Sequence, residues 1–218
     1  MENSRVKSWG LFSLKTIKSL TLVELMVSVM IVGMMIVGFY GFETFTNTQV
    51  IDSDRRAKVQ NQLSYCLEHM SKYIQRANGD TSNPPIKLYP NAGPPYTGFQ
   101  VRFDCNATQT PSVLTDDVWI YYTLAGNNLS VGSTGGCALV PAEVLATKIL
   151  DNFSNTVLPF YPAPTAGFYV VVDAGGNLVN IALVGRYDPT RPVDSGTSFV
   201  NPQVEAKTRI ICNSSSSL

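Results

Sequence analysis

The chain has 218 residues, with 16 basic and 16 acidic side chains and therefore a formal net charge of zero. Because no basic excess is present to neutralise phosphates, composition and motifs give no support for nucleic-acid binding. Hydrophobic residues make up 44% of the chain and aromatic residues 10%, which excludes an intrinsically disordered polymer. A chain of this length is typical of one domain with a further segment.

A membrane-spanning helix is predicted near the N-terminus, because the chain carries no formal charge from Leu25 to Phe42. As a helix this stretch is about 27 Å long, close to the thickness of a hydrocarbon core. Residues 1–19 are rich in basic side chains, whereas the first charges after the span are acidic. The positive-inside rule then predicts that residues 1–19 are cytoplasmic and that the rest of the chain lies on the other side.

Glu24 is an ionisable residue at the beginning of this apolar segment. An ionisable group at the centre of a span costs roughly 2.5–3.5 kcal/mol on insertion scales, and less near its end. Such a residue tends to have a partner, and the apolar run itself offers none. Two interpretations stay open on this argument alone: Glu24 has a partner within the membrane, or it is solvated at the level of the headgroups.

The segment that joins the basic leader to the apolar run reads Ser19-Leu20-Thr21-Leu22-Val23-Glu24-Leu25-Met26. It resembles the processing and assembly signal of type IV pilins and type II secretion pseudopilins. That signal has a small residue before the cleavage point, then an apolar residue, Thr, Leu, an aliphatic residue and Glu. Ser19 departs from the family's usual Gly, and Leu20 stands where Phe is commonest.

The resemblance implies that a prepilin peptidase cuts between Ser19 and Leu20, and that the new amino terminus at Leu20 is N-methylated. It also implies that this amine pairs with Glu24 of a neighbouring subunit, since two charges that are each costly in lipid cost less together. The implied partners are other pilins or pseudopilins, the peptidase and the inner-membrane assembly platform. The implied location is the inner (cytoplasmic) membrane, with a periplasmic or extracellular head, and then the pilus or pseudopilus.

A second, amphipathic half of the same helix is predicted downstream, because apolar residues recur at steps of three or four. They are Val59, Leu63, Cys66 or Leu67, Met70, Ile74 and Ala77. Asn78-Gly79 is a typical helix stop. We therefore predict a leader at 1–19, a transmembrane or filament-core helix at 20–45, a stem helix at 46–78 and a globular β-rich head at 79–218.

The head is predicted to form an antiparallel sheet that packs on the stem helix, which makes the fold class α+β. Thr81–Pro95 has a loop-like composition, and Pro141–Leu150 has that of a short helix or an irregular strand. Turns are predicted at Ala125–Asn128 and Asp173–Asn177. The strand signals are Phe99–Phe103, Val118–Leu124, Leu129–Val131, Phe168–Val172, Leu178–Val184 and Lys207–Cys212. The order of these parts resembles that of J-type pseudopilins and W-type minor pilins.

Four cysteines fall outside the predicted span, where an oxidising compartment allows disulfides to form. Four cysteines allow three pairings. We favour Cys105–Cys137 within the head and Cys66–Cys212 between the stem and the last strand, and free buried thiols are the alternative.

No constellation of residues predicts an enzyme or a bound cofactor. The only histidine is His69, which is predicted on the helix surface, and no C-x-x-C pair is present to bind a metal. Asp52 and Asp54 lack the remaining ligands of a calcium loop and are predicted on a solvated helix face. Asp173 and Asn177 are predicted as turn residues, and a calcium site there stays open.

The resemblance implies a minor pilin or pseudopilin that primes or caps a type IV pilus or a type II secretion pseudopilus. Two alternatives stay open. The chain is either a major pilin subunit, or an envelope domain held by an uncleaved signal anchor. Motility, adhesion, DNA uptake and secretion are all compatible with these roles.

Overall fold

The computed structural model describes residues 21–80, 82–89, 98–105, 110, 113–134, 140–151, 166–173, 178–191 and 201–212. Within these ranges the chain forms one long helix and eight strands, all paired antiparallel, so the predicted α+β class is confirmed. The chain divides into two compact units, Met1–Asn47 and Thr48–Leu218. The helix, α1, spans Leu22–Ile74 and contributes to both.

In the first unit, α1 exposes nearly every apolar side chain that it carries. Between Leu22 and Phe45 the large hydrophobic residues are 49% to 75% exposed. An 18-residue window there has a mean hydropathy of 2.4 and no buried residue, so α1 is long and apolar enough to cross a membrane. Gly33, Gly38 and Gly41 lie within α1 without interrupting it.

In the second unit, α1 buries the face that its sequence pattern predicts. Val59, Leu63, Cys66, Met70 and Ile74 follow at steps of three or four and are all at most 1% exposed. The helix ends at Ile74, earlier than the predicted end of the stem helix at residue 78. Carbonyls at the end of the helix accept hydrogen bonds from amides three residues later, such as that from the Ala77 amide to the Ile74 carbonyl. These bonds tighten the final turn.

A five-stranded antiparallel meander forms the first sheet, with the strands in sequence order. β3 and β4 join through Gly126-Asn127, where Gly126 has a φ of 57°, as the first central residue of a type II′ turn requires. β1 lies inside the stretch predicted to be a loop, and β5 shows that the segment 141–150 is an irregular strand, not a helix. The strands are β1 (Ile86–Tyr89), β2 (Gly98–Phe103), β3 (Val118–Ala125), β4 (Asn128–Ser133) and β5 (Glu143–Ala146).

A separate three-stranded sheet contains β6 (Phe168–Val172), β7 (Leu178–Arg186) and β8 (Gln203–Ile211), in that order. The antiparallel strands of the head are thus divided between two sheets. Ile149 forms an isolated antiparallel bridge with Gly185 of β7, and its amide donates to the carbonyl of Asn127 in the turn before β4. Ile149, which follows β5, thus links β7 to the turn between β3 and β4.

The core of the second unit lies between α1 and the two sheets. Phe99 and Tyr122 stack at a centroid distance of 4.9 Å, and Tyr73 of α1 meets Phe103 edge-on at 5.3 Å. Gly185 allows the helix to approach β7, because a Cβ built there would lie 3.0 Å from Val59 Cγ1. These contacts hold the second half of α1 against the sheets.

Candidate processing and assembly site

The site implied by the sequence begins at Ser19 and Leu20, which lie outside the described residues, and continues into the first turn of α1. There the Thr21 amide donates to Glu24 Oε2 over 3.0 Å, and the Glu24 amide donates to Thr21 Oγ1 over 3.3 Å. These two reciprocal bonds are a capping box, in which the N-cap residue and the third helical residue satisfy each other's backbone donors. We call this pair the Thr21–Glu24 capping box.

The Glu24 carboxylate is therefore hydrogen-bonded within its own chain. The Thr21 hydroxyl also reaches Glu24 Oε2, at 3.1 Å, so that all the bonds seen from the described residues converge on one carboxylate oxygen. A negative charge in the first turn is further stabilised by the helix dipole. Thr21, which lies just before the apolar run, thus gives the Glu24 carboxylate the hydrogen-bond partner that the run itself does not offer.

The T-x-x-E pattern of a capping box is visible in the sequence at Thr21 and Glu24, where it overlaps the pilin-like signal. The signal alone does not predict these hydrogen bonds. The capping box turns the carboxylate towards the N-terminal end of α1, where cleavage after Ser19 would create an amine at Leu20. The arrangement can therefore bind a cation at the level of the first helical turn.

Hydroxyl groups further along the apolar half of α1 bond to the helix itself. Ser28 Oγ donates to the Glu24 carbonyl over 2.8 Å, and Thr44 Oγ1 donates to the Tyr40 carbonyl over 2.9 Å. Such bonds to the preceding turn satisfy a hydroxyl without any external partner. These polar side chains consequently do not oppose burial of the segment in lipid.

The predicted Cys66–Cys212 disulfide is wrong, since both residues are buried free thiols. A Cβ built on Gly185 would approach Leu63, one helical turn before Cys66, to 3.2 Å. Cys212 directly follows β8, at the strand end that pairs with Leu178. Leu178 and Gly185 are about 23 Å apart along β7, whereas bridged cysteines keep their Cα atoms within about 7 Å.

Burial explains why both thiols stay protonated. It raises the pKa of the Cys66 thiol to about 12, and burial together with the nearby Asp173 carboxylate raises that of Cys212 to about 11. Cys137 lies outside the described residues, so its pairing with Cys105 stays a prediction.

Two polar residues are more buried than the sequence predicts. Asp52 is only 6% exposed, and its Oδ2 accepts a bond of 2.8 Å from Arg56 Nε one turn later. His69 was assigned to the helix surface, but its Nδ1 lies 3.1 Å from the hydroxyl of the buried Tyr122. Asp54 does lie on a solvated face, where it pairs with Lys58 at 2.7 Å.

Asp173 acts as a turn residue, because its carboxylate accepts a bond of 2.9 Å from the amide of Leu178 at the start of β7. Asn177 lies outside the described residues. Among the residues that are described, no group of three or more His, Cys, Asp or Glu side chains is arranged to hold a metal ion.

Comparison of the whole chain with protein-family models, with curated proteins and with solved structures finds no match. Function must therefore be inferred from the residues of this site and from the physical properties of α1.

Proposed function

We propose that this chain is a minor pilin or pseudopilin, a structural subunit that primes or caps a type IV pilus or a type II secretion pseudopilus. In this proposal a prepilin peptidase removes residues 1–19, and the head then lies in the periplasm or outside the cell. The observation that carries the proposal is the Thr21–Glu24 capping box at the first turn of an exposed apolar helix, directly after the Ser19/Leu20 junction.

The geometry supports a role for Glu24 in contact between subunits. Its carboxylate is exposed, and the hydrogen bonds from Thr21 occupy Oε2. A carboxylate has about four lone-pair sites on its two oxygens, so Oε1 can accept a cation while the capping box is intact. The cation in the proposal is the amine of Leu20 from a neighbouring subunit, which pairs with the carboxylate inside lipid.

The exposed apolar surface of α1 supports assembly rather than a solitary soluble domain. Contiguous apolar surface on this scale marks a membrane or protein contact. A contact between different surfaces of successive subunits that does not close into a ring produces a filament. The other partners in the proposal are the inner-membrane assembly platform and further pilins or pseudopilins.

The proposal is tested first by the N-terminus of the protein in the membrane. The full gene is expressed with and without a prepilin peptidase, and the N-terminal peptide is identified by mass spectrometry. We expect Leu20 as the first residue, with one added methyl group, only when the peptidase is present. An intact Met1 in both cells would contradict the proposal and favour the uncleaved anchor.

A pair of variants then tests Glu24 itself. Glu24→Ala should be inserted and cleaved normally but fail to enter sheared filaments or cross-linked pilin complexes. Glu43→Ala is the matched control, because Glu43 is the next acidic residue on the same exposed helix, at the other end of the apolar span. Normal incorporation of Glu24→Ala, or equal loss in both variants, would refute the assigned role. High abundance along the whole filament would identify a major pilin instead.

A further inference from the structure

His69 lies where α1 meets the five-stranded sheet, and side chains from two strands approach it. His69 Nδ1 is 3.1 Å from Tyr122 Oη of β3, and Nε2 is 3.8 Å from Glu143 Oε1 of β5. The His69 side chain is only 15% exposed, while Tyr122 is fully buried and stacks on Phe99. The imidazole therefore connects the helix to a fixed phenol on one side and to a half-exposed carboxylate on the other.

The partners determine where the protons lie in the neutral ring. Glu143 accepts hydrogen bonds and repels a lone pair, so the Nε2 atom that faces it carries the hydrogen. Nδ1 is then an acceptor, and the Tyr122 hydroxyl donates to it. Protonation of His69 turns Nδ1 into a donor, and the buried hydroxyl loses the acceptor that it has in the neutral state. A buried donor without an acceptor is unfavourable.

Other described neighbours of His69 lie on α1. The rings of Tyr73 and Tyr65 lie 5.0 Å and 6.2 Å from the imidazole, and Cys66 and Lys72 are its charged or titratable neighbours along the helix. Burial lowers the pKa of His69 from its ordinary value, the Glu143 carboxylate acts in the opposite direction, and Lys72 lowers it further. The environment as a whole thus favours the neutral ring.

We propose that the His69 contact with Tyr122 and Glu143 is an acid-sensitive connection, which stabilises the packing of the second half of α1 on β3 of the five-stranded sheet while the imidazole is neutral. Protonation reverses the hydrogen bond to β3, so that Nδ1 donates and the buried Tyr122 hydroxyl loses its acceptor, and it places a charge in a largely buried site between helix and sheet. The contact with Glu143, the first residue of the edge strand β5, becomes an ion pair at the same time. The inference concerns the second unit alone and stands or falls independently of the proposed function.

The chain is well suited to a direct test, because His69 is its only histidine. Its ring protons are followed by NMR during a pH titration of the full chain in detergent, purified without a histidine tag. We expect a midpoint below the ordinary value of about 6.5. Tyr122→Phe should raise the midpoint, since the neutral ring loses its donor, and Glu143→Gln should lower it, since the imidazolium loses its counter-charge. A midpoint at or above about 6.5, or no opposite shift in the two variants, would overturn the proposal.

A second measurement tests whether protonation weakens the contact. Amide hydrogen exchange in β3 and in the last three turns of α1 is compared at about pH 7.5 and about pH 5, after correction for intrinsic rates. Wild type should lose protection in these segments at the lower pH, and His69→Gln, whose side chain stays neutral, should lose less. An equal loss in both chains would show that another group is responsible and refute the proposal.

Discussion

The packing of α1 on β7 gives a prediction whose size follows from the structure. Leu63 is 1% exposed and lies against Gly185, so Leu63→Ala removes buried methyl groups and leaves a cavity at the helix–sheet contact. We expect the free energy of unfolding to fall by about 2–5 kcal/mol, the usual range for such a truncation. Gln60→Ala is the control, because Gln60 is exposed on the same helix, and its effect should stay within about 0.5 kcal/mol.

Gly185→Ala makes the opposite change, because it adds a methyl group to the same helix–sheet contact from the β7 side. The new Cβ would lie 3.0 Å from Val59 Cγ1, 3.1 Å from the Lys148 carbonyl oxygen and 3.2 Å from Leu63 Cδ2, so these neighbours must move by a few tenths of an ångström. Overpacking of this kind costs about 1–3 kcal/mol. Alanine also reduces the conformational entropy of the unfolded chain, which stabilises the folded protein by about 0.4–1 kcal/mol. The net loss should therefore be about 1–2 kcal/mol.

The two substitutions should not be additive, because each acts on the space that the other occupies. With Leu63 shortened, the added methyl group at position 185 loses one of its close neighbours, and we expect a favourable coupling of about 1 kcal/mol. The assay is urea unfolding of the four full-length chains in detergent, followed by near-ultraviolet circular dichroism, which reports packing in the aromatic core. Additivity within about 0.5 kcal/mol would refute the described contact between α1 and β7.

The first of the remaining predictions concerns the helix start: Thr21→Val should weaken it by about 0.5–2 kcal/mol and increase amide exchange in the first turn, whereas Thr21→Ser should not. The thiols of Cys66 and Cys212 should resist alkylation in the native protein, and both should react after denaturation without any reductant. Labelling of either under native conditions would contradict their burial. Asp80 accepts bonds from the amides of Ser82 and Asn83, which hold its pKa below the ordinary value. The stability that it contributes is present above that ordinary value and is lost as pH falls through the lower one. Asp80→Asn should flatten acid unfolding below about pH 4, and an unchanged curve would contradict this.

The long helix is predictable because its determinants are local. An unbroken apolar run followed by apolar residues at helical spacing requires no knowledge of the rest of the chain. Within the head, β3 and β6 are predictable for a similar reason, since β-branched and aromatic residues cluster in each. Gly126 and Asp173 are residue types that favour turns, so the hairpins that follow these two strands are predictable as well.

The missed elements depend on contacts that are distant in sequence. β1 lies between Pro85 and Pro90, and the prolines give the whole stretch a loop-like composition. Proline is nevertheless tolerated beside an edge strand, where fewer backbone donors are needed, and β1 is such an edge. The burial of His69 and Asp52 could not be predicted either. Both positions are polar in sequence, and His69 is covered only because Tyr122 of β3 and Glu143 of β5 approach it.

The capping box changes the energetic argument for Glu24 and gives a prediction that separates its two roles. The apolar run itself offers the carboxylate no partner, but the amide and hydroxyl of Thr21 already stabilise it. These neutral donors reduce the cost of the buried charge but do not neutralise it, so a cation still adds a favourable interaction. Glu24→Gln keeps an oxygen for the capping box, because Gln serves as well as Glu at this position, but it removes the charge. We therefore expect Glu24→Gln to retain the wild-type amide protection of the first helical turn, to insert normally, and to lose filament incorporation as severely as Glu24→Ala. Incorporation of Glu24→Gln at the wild-type level would show that the capping box alone suffices and that no charge pairing between subunits is needed.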